Sequence, residues 1–211
     1  MPALSLAPRP LYEEVAELLR QRIFARELEA GSWIDELRIA QALGISRTPL
    51  REALKVLAAE GLVTMKVRRG AYVTEVSEKD LRDVYHLLAL LESDAARIVA
   101  ASANEAQMAQ IKALQKELEE AVTHRDRFFA INEAFHMFLL QIADNRWRDQ
   151  MVADLRKVMK LNRQHSLLKE GRLEQSLAEH REIVQALLSR QPELAAEKMS
   201  THFMNGLQAA Q

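Results

Sequence analysis

The chain of 211 residues carries 29 basic and 30 acidic side chains, a formal net charge of −1, with 48% hydrophobic and 28% charged residues. That balance supplies a core and excludes an intrinsically disordered chain. Cysteine is absent, which rules out disulfides and thiolate metal sites and suits a reducing cytoplasm.

The first ten residues, MPALSLAPRP, are too short and too rich in proline for a leader peptide and read as a loose tail. Leu11, Val15, Leu18, Leu19, Ile23 and Phe24 then recur at helical spacing and predict a first helix over residues 11–26. Gly31 breaks the pattern. Asp35 is placed to cap a short second helix through Leu43, which Gly44 ends in the left-handed conformation. Ser46 opens a third helix, where its hydroxyl is expected to accept an orphan amide N–H, and Pro49 sits in the first turn at no cost. Gly61 closes that helix. Two short β-prone runs follow, separated by Val67, Arg68, Arg69 and Gly70, a hairpin with glycine near its tip.

Three helices and a two-stranded hairpin in this order are the plan of a winged helix-turn-helix. Ser77 and Asp80 signal the next helix start. From there the periodicity predicts helices at 80–101, 104–122, 127–143, 146–168, 174–190 and 193–208. The expected fold is mainly α: a winged helix-turn-helix over 1–76, then an all-α antiparallel bundle of about six helices over 77–211. No apolar run approaches the length of a membrane span.

Charge is unevenly spread. From Ser46 to Gly70 the cations Arg47, Arg51, Lys55, Lys66, Arg68 and Arg69 meet only Glu52 and Glu60, a local excess of four that leaves the rest net acidic by five. Arg47, Arg51 and Lys55, four apart, form one stripe opposite Leu50, Ala53, Leu54 and Leu57. A charge row is usually a solvated face. Here it lies on the second helix of the helix-turn-helix, the element that enters a major groove, and a helix N-terminus also favours phosphate. Arg68 and Arg69 at a hairpin tip have no role in the fold and point the same way.

The run LGISRTPLREALKVLAAEGLV, followed by RRGAYV, closely resembles the DNA-binding module of the GntR family of bacterial transcriptional regulators, over residues 11–76. The resemblance implies DNA contacts by Arg47, Arg51 and Gly70. Around them Arg38, Ser46, Thr48, Lys55, Arg68 and Arg69 complete the candidate DNA-binding set. The stretch RELEAGSWI departs from the family in lacking the glycine and proline often found before Gly31.

Six histidines occur. His86, His124 and His165 are read as ordinary surface or core residues. Asn132 and His136 share one helix face, while His180 and His202 fall on the last two helices. An amide oxygen and three imidazoles suit a divalent ion such as zinc or nickel if they converge, and buried, hydrogen-bonded histidines explain the spacing equally well. Residues 80–208 resemble the helical effector-binding (FCD) domain of the FadR-type branch, through LLALLESDAARIVAA, NEAFHMFLLQIADN and EHREIVQALLSRQPELAAEKMSTHF. That resemblance implies a metal on Asn132, His136, His180 and His202 that helps hold a small organic acid near Glu92. Asn132 stands where aspartate is commoner. Leu88 stands where many relatives carry an arginine for the effector's carboxylate, and Arg97 replaces it only by turning inward.

The expected function is that of a metabolite-responsive repressor, cytoplasmic and not an enzyme. One recognition helix covers few base pairs, so a homodimer on a palindromic operator in double-stranded DNA is expected. Two alternatives stand beside it. The histidine cluster is purely structural in one, with no effector. In the other a metal-dependent hydrolase uses Glu133 or Glu179 as base, although both are expected on other helix faces than the ligands.

Overall fold

The computed structural model describes residues 10–166 and 169–210, so the tail at residues 1–9 and the expected helix end at 167–168 lie outside the described residues. Eleven elements follow one another among them: α1 (Leu11–Phe24), α2 (Glu36–Leu43), α3 (Arg47–Ala59), β1 (Val63–Lys66), β2 (Gly70–Val73), α4 (Glu78–Ser102), α5 (Glu105–Ala121), α6 (Arg125–Ala143), α7 (Arg146–Ser166), α8 (Arg172–Leu188) and α9 (Pro192–Ala210). The mainly helical winged-helix plan is observed. Contacts divide the chain into two compact units, Met1–Glu75 and Val76–Gln211.

In the first unit, Val15, Ala16, Leu19 and Ile23 of α1 and Leu50, Ala53, Leu54 and Leu57 of α3 are buried together with Ile34, Leu62, Val63, Ala71 and Val73. Each fully buried leucine contributes about 1.5–3 kcal/mol. Asp35 caps α2, its Oδ1 accepting from the amides of Leu37 and Arg38 at 3.1 and 3.0 Å. Gly44 takes φ +64, a value that L side chains resist, and lets the amide of Ile45 reach back to the Ala40 carbonyl at 3.0 Å. This turn sets the start of α3. Ser46 is the N-cap residue of α3, but its side chain makes no capping bond, contrary to expectation. The entry of α3 is held instead by the turn before it, while Arg20 of α1 ties down its C-terminal end, Nε and Nη2 gripping the carboxylate of Glu60 at 2.9 and 2.6 Å.

The hairpin pairs Val63 with Val73, Thr64 with Tyr72, Met65 with Ala71 and Lys66 with Gly70. A third segment, between α1 and α2, joins its far edge. Trp33 bridges Tyr72, the Ile34 amide donates to the Ala71 carbonyl, and Gly31 and Ser32 exchange bonds with Val73.

The second unit is a helical bundle with one apolar core, from Leu81 and Leu88 on α4 through Phe128 and Phe135 on α6 to Met199 and Leu207 on α9. Ser77 opens it: its Oγ accepts from the Asp80 amide at 3.1 Å and donates to the Asp80 carboxylate at 2.6 Å. Asn104 and Gln107 form a reciprocal capping box at α5. No described helix is long and apolar enough to cross a membrane.

Candidate DNA interface and metal centre

The recognition stripe on α3 is exposed, as are Arg38, Ser46 and Thr48. Arg47, Arg51 and Lys55 keep 53%, 57% and 67% of their side-chain surface. The stripe is not without anions, however. Glu36, from the first turn of α2, accepts from Arg47 Nη2 at 3.1 Å and from Arg51 Nε at 2.8 Å, both through Oε2. Burial would raise the Glu36 pKa, but the hydrogen bonds from Arg51 and Arg47 outweigh it and hold the carboxyl below its ordinary value. The sequence reading counted anions only within residues 46–70 and so missed a partner eleven residues before Arg47. Arg68 and Arg69 are exposed at the hairpin tip, Arg68 at φ +60 and Gly70 at φ +91.

In the helical unit, His136 (α6), His180 (α8) and His202 (α9) come together. One ligand atom from each lies within 4.8 Å of the others, and all three residues are buried. Asn132, one turn before His136, is 5% exposed. Phe135 stacks obliquely on His180 at 4.7 Å between centroids, and Phe203 stands edge-on to His136 and His202. His86 and His124 are exposed, and His165 lies outside the residues whose side chains are described.

Two carboxylates orient the histidines. His136 Nδ1 donates to Glu92 Oε2 at 2.6 Å, and His202 Nδ1 donates to Glu179 Oε2 at 2.7 Å. This fixes the tautomer, so that Nε2 is the nitrogen each ring presents as an acceptor. Each carboxylate is in turn gripped by a buried arginine. Arg156 on α7 reaches Glu92 Oε1 through Nε and Nη2 at 3.0 and 2.5 Å, and Glu133 through Nη1 at 2.9 Å. Arg172, at the first turn of α8, holds Glu179 with two parallel bonds of 2.9 and 3.1 Å, while Asn205 adds a third donor at 2.8 Å.

Several expectations are corrected here. Glu179 does reach the cluster, through His202 Nδ1, whereas Glu133 touches the network through Arg156 and keeps 34% of its side-chain surface. Arg97 does not turn inward: it lies at the surface, where Nε and Nη2 hold the Glu193 carboxylate at 3.0 Å each. Arg148, Arg156 and Arg172 are the buried arginines among the described residues, and the last two reach this network. Their signal was weak. Arg172 stands two helical turns before Glu179, and Arg156 is a lone cation in the apolar spacing Val152, Leu155, Met159.

Glu179 also decides against a hydrolytic base. Burial raises its pKa, but the bonds from His202 and Arg172 prevail and bring it down to about 2. A carboxylate so weakly basic and so fully hydrogen-bonded orients an imidazole and takes no proton from water near neutral pH. Stability should follow. Because the folded pKa lies below the ordinary 4.5, the contribution of Glu179 is complete above that value and is lost as pH falls towards about 2. The gap in melting temperature between metal-free wild type and Glu179→Gln should therefore narrow steadily from pH 5 towards pH 2 in calorimetric scans. A constant gap contradicts the assignment.

Comparison with known families matches both units. Residues 11–73 match the profile of bacterial regulatory proteins of the gntR family, and residues 83–205 match the FCD domain. The chain belongs to the GntR family, in the branch that carries an FCD domain. The HTH-type transcriptional regulator YdhC of Bacillus subtilis is 27% identical over 93% of this chain and 89% of its own length. The repressor RspR of Escherichia coli K12 is 26% identical over 92% of this chain and 86% of its own length. The fold is also that of Lar of Listeria monocytogenes, with a TM-score of 0.73 over 97% of this chain and 98% of that one, at 21% identity. This GntR-family chain is a DNA-binding transcriptional regulator, and its relatives are regulators, not enzymes.

Proposed function

We propose that the protein is a metabolite-responsive repressor that binds a palindromic operator as a homodimer and senses an organic acid through a divalent metal, zinc or nickel, in the FCD unit. The observation that carries the metal is the meeting of His136, His180 and His202, three imidazoles on three helices with ligand atoms within 4.8 Å. Asn132 would add a neutral oxygen, and a neutral donor set needs charge from further out, which Glu92 and Glu179 supply through His136 and His202. Bound there, the ion would act as a Lewis acid towards a carboxylate.

The metal also answers what takes the place of the cation missing at Leu88. Arg97 is turned outward, and Arg156 and Arg172 are committed to Glu92, Glu133 and Glu179. The ion would then supply the positive charge for an effector's carboxylate beside these committed arginines. Dimerisation is supported by exposed apolar side chains on neighbouring helices: Leu87 and Leu90 on α4, and Trp147, Met151 and Val158 on α7. The pair Asp94–Arg148, 3.0 Å apart, ties these two helices together. Effector binding would act by favouring one of two arrangements of the dimer. The chemistry suits a cytoplasmic regulator acting on chromosomal DNA.

The purely structural alternative draws support from the burial of the cluster, since His180 is 0% exposed. A thermal-shift series separates the two. Zinc should raise the melting temperature of chelator-treated wild type and leave His180→Ala unmoved. Small dicarboxylates and sugar acids should add a further shift only with zinc present, about 2.7 kcal/mol at a hundredfold excess over Kd. Stabilisation by zinc with no further shift from any acid favours the structural reading, and no effect of zinc refutes the metal.

A further inference from the structure

We propose that Trp33 is a DNA-contacting residue, and that the outer face of the wing sheet grips the phosphodiester backbone beside the bases that α3 reads. This rests on the DNA-binding reading of the head. Register and pleat put Trp33, Tyr72, Thr64, Lys66 and Gly70 on one face, because directly opposed residues share a face and alternate residues repeat it. The opposite face holds Ile34, Ala71, Val63 and Val73, all buried. Pleat alternation agrees with burial except at Met65, which pairs with Ala71 on the inner face and is 48% exposed.

The outer face is built of aromatic and cationic groups. Trp33 is 56% exposed. The Lys66 ammonium lies 4.3 Å from the centroid of the Tyr72 ring. The indole leans across Gly70: a Cβ at that position would stand 3.1 Å from Trp33 Nε1. Whatever backbone approaches Gly70 therefore meets the indole N–H. None of the five residues is acidic, and Arg68 and Arg69 continue the positive charge to the tip. An exposed tryptophan alone is unremarkable in energy terms. With a donor, a flat apolar ring and a neighbouring ammonium on one face, the surface matches a phosphate, its deoxyribose and the next phosphate. The indole donates to a phosphate oxygen, its ring covers the sugar, and Lys66 neutralises the adjoining charge.

The test uses full-length protein and the duplex that it enriches from a randomised library, with fluorescein-labelled duplex followed by anisotropy. Saturating duplex should change the tryptophan emission of wild type, and Trp33→Phe, which keeps a ring over Gly70, should abolish that change. Trp33→Phe should bind about tenfold more weakly or worse, as expected for the loss of one bond to a charged phosphate. Its salt dependence should keep the wild-type slope, since an indole releases no counterion, whereas Lys66→Ala should lower the slope by about two, one for each protomer of the dimer. Emission and affinity both unchanged on removal of the indole N–H would overturn the proposal while the DNA-binding reading stands. Failure to enrich any duplex sinks both.

Discussion

Arg51→Ala should lose at least tenfold in operator affinity while the protein melts as wild type does. Arg51 sits on the exposed face of α3, one turn after Arg47 and opposite the buried Leu50, Ala53 and Leu54. Glu36 occupies its Nε at 2.8 Å, which holds the guanidinium extended and leaves both terminal amino groups for a base edge. A bidentate arginine–guanine pair is worth about 1–3 kcal/mol of discrimination, and a dimer presents two copies. Stability should hardly change, because an exposed ion pair contributes about 0–1 kcal/mol and Arg47 remains on Glu36. Anisotropy against operator and scrambled duplexes separates specific from general loss. Unaltered operator affinity would show that α3 is not the reading helix.

Arg156→Met should destabilise the helical unit by about 3–5 kcal/mol, the usual cost of leaving a buried charge without its partner. Arg156 keeps only 5% of its side-chain surface and Glu92 only 2%, so water cannot replace the lost bonds. Burial tends to lower the arginine's pKa, and the charges of Glu92 and Glu133 more than offset that, which keeps the guanidinium ionised. Methionine fills much of the same volume, so the loss is electrostatic rather than a cavity. Removing both charges, in Arg156→Met with Glu92→Gln, should recover part of the stability, because the two effects are not additive. Urea unfolding reads all three proteins. Zinc affinity should fall with Arg156→Met too, since Glu92 no longer holds His136 in one orientation. A loss under about 1 kcal/mol would mean that the site relaxes around Glu92.

Much of the head is local chemistry and can be read from the chain. Asp35, Gly44 and Gly61 mark helix ends because caps and left-handed turns act over four or five residues. The stripe of Arg47, Arg51 and Lys55 follows from the helical repeat alone. The Ser46 cap failed as a reading because a hydroxyl beside a helix start has several rotamers, and only one of them meets an amide. The third strand segment at Trp33 escaped because one bridge has no periodicity to announce it.

The helical unit divides differently. Helix positions and the candidate ligands Asn132, His136, His180 and His202 were legible, the last two through resemblance more than spacing. The arginine–carboxylate supports were not. Glu92 and Arg156 are 64 residues apart and belong to different helices, and nothing in either helix's own pattern distinguishes a buried charged partner from a solvated one. Arg97, one residue after the buried Ala96, was free to turn either way until Glu193 on α9 claimed it at the surface.

By itself the sequence determined where the helices begin and end, which faces are apolar, and that one helix carries a cationic stripe, because these depend on neighbours within two turns. The tertiary structure alone decided which charges meet. It placed Glu36 on Arg47 and Arg51, set Arg156 and Arg172 behind two histidines, turned Arg97 outward and laid Trp33 over Gly70. Each of those outcomes depends on the approach of separate elements, and a buried ion pair is stable only when that approach is right.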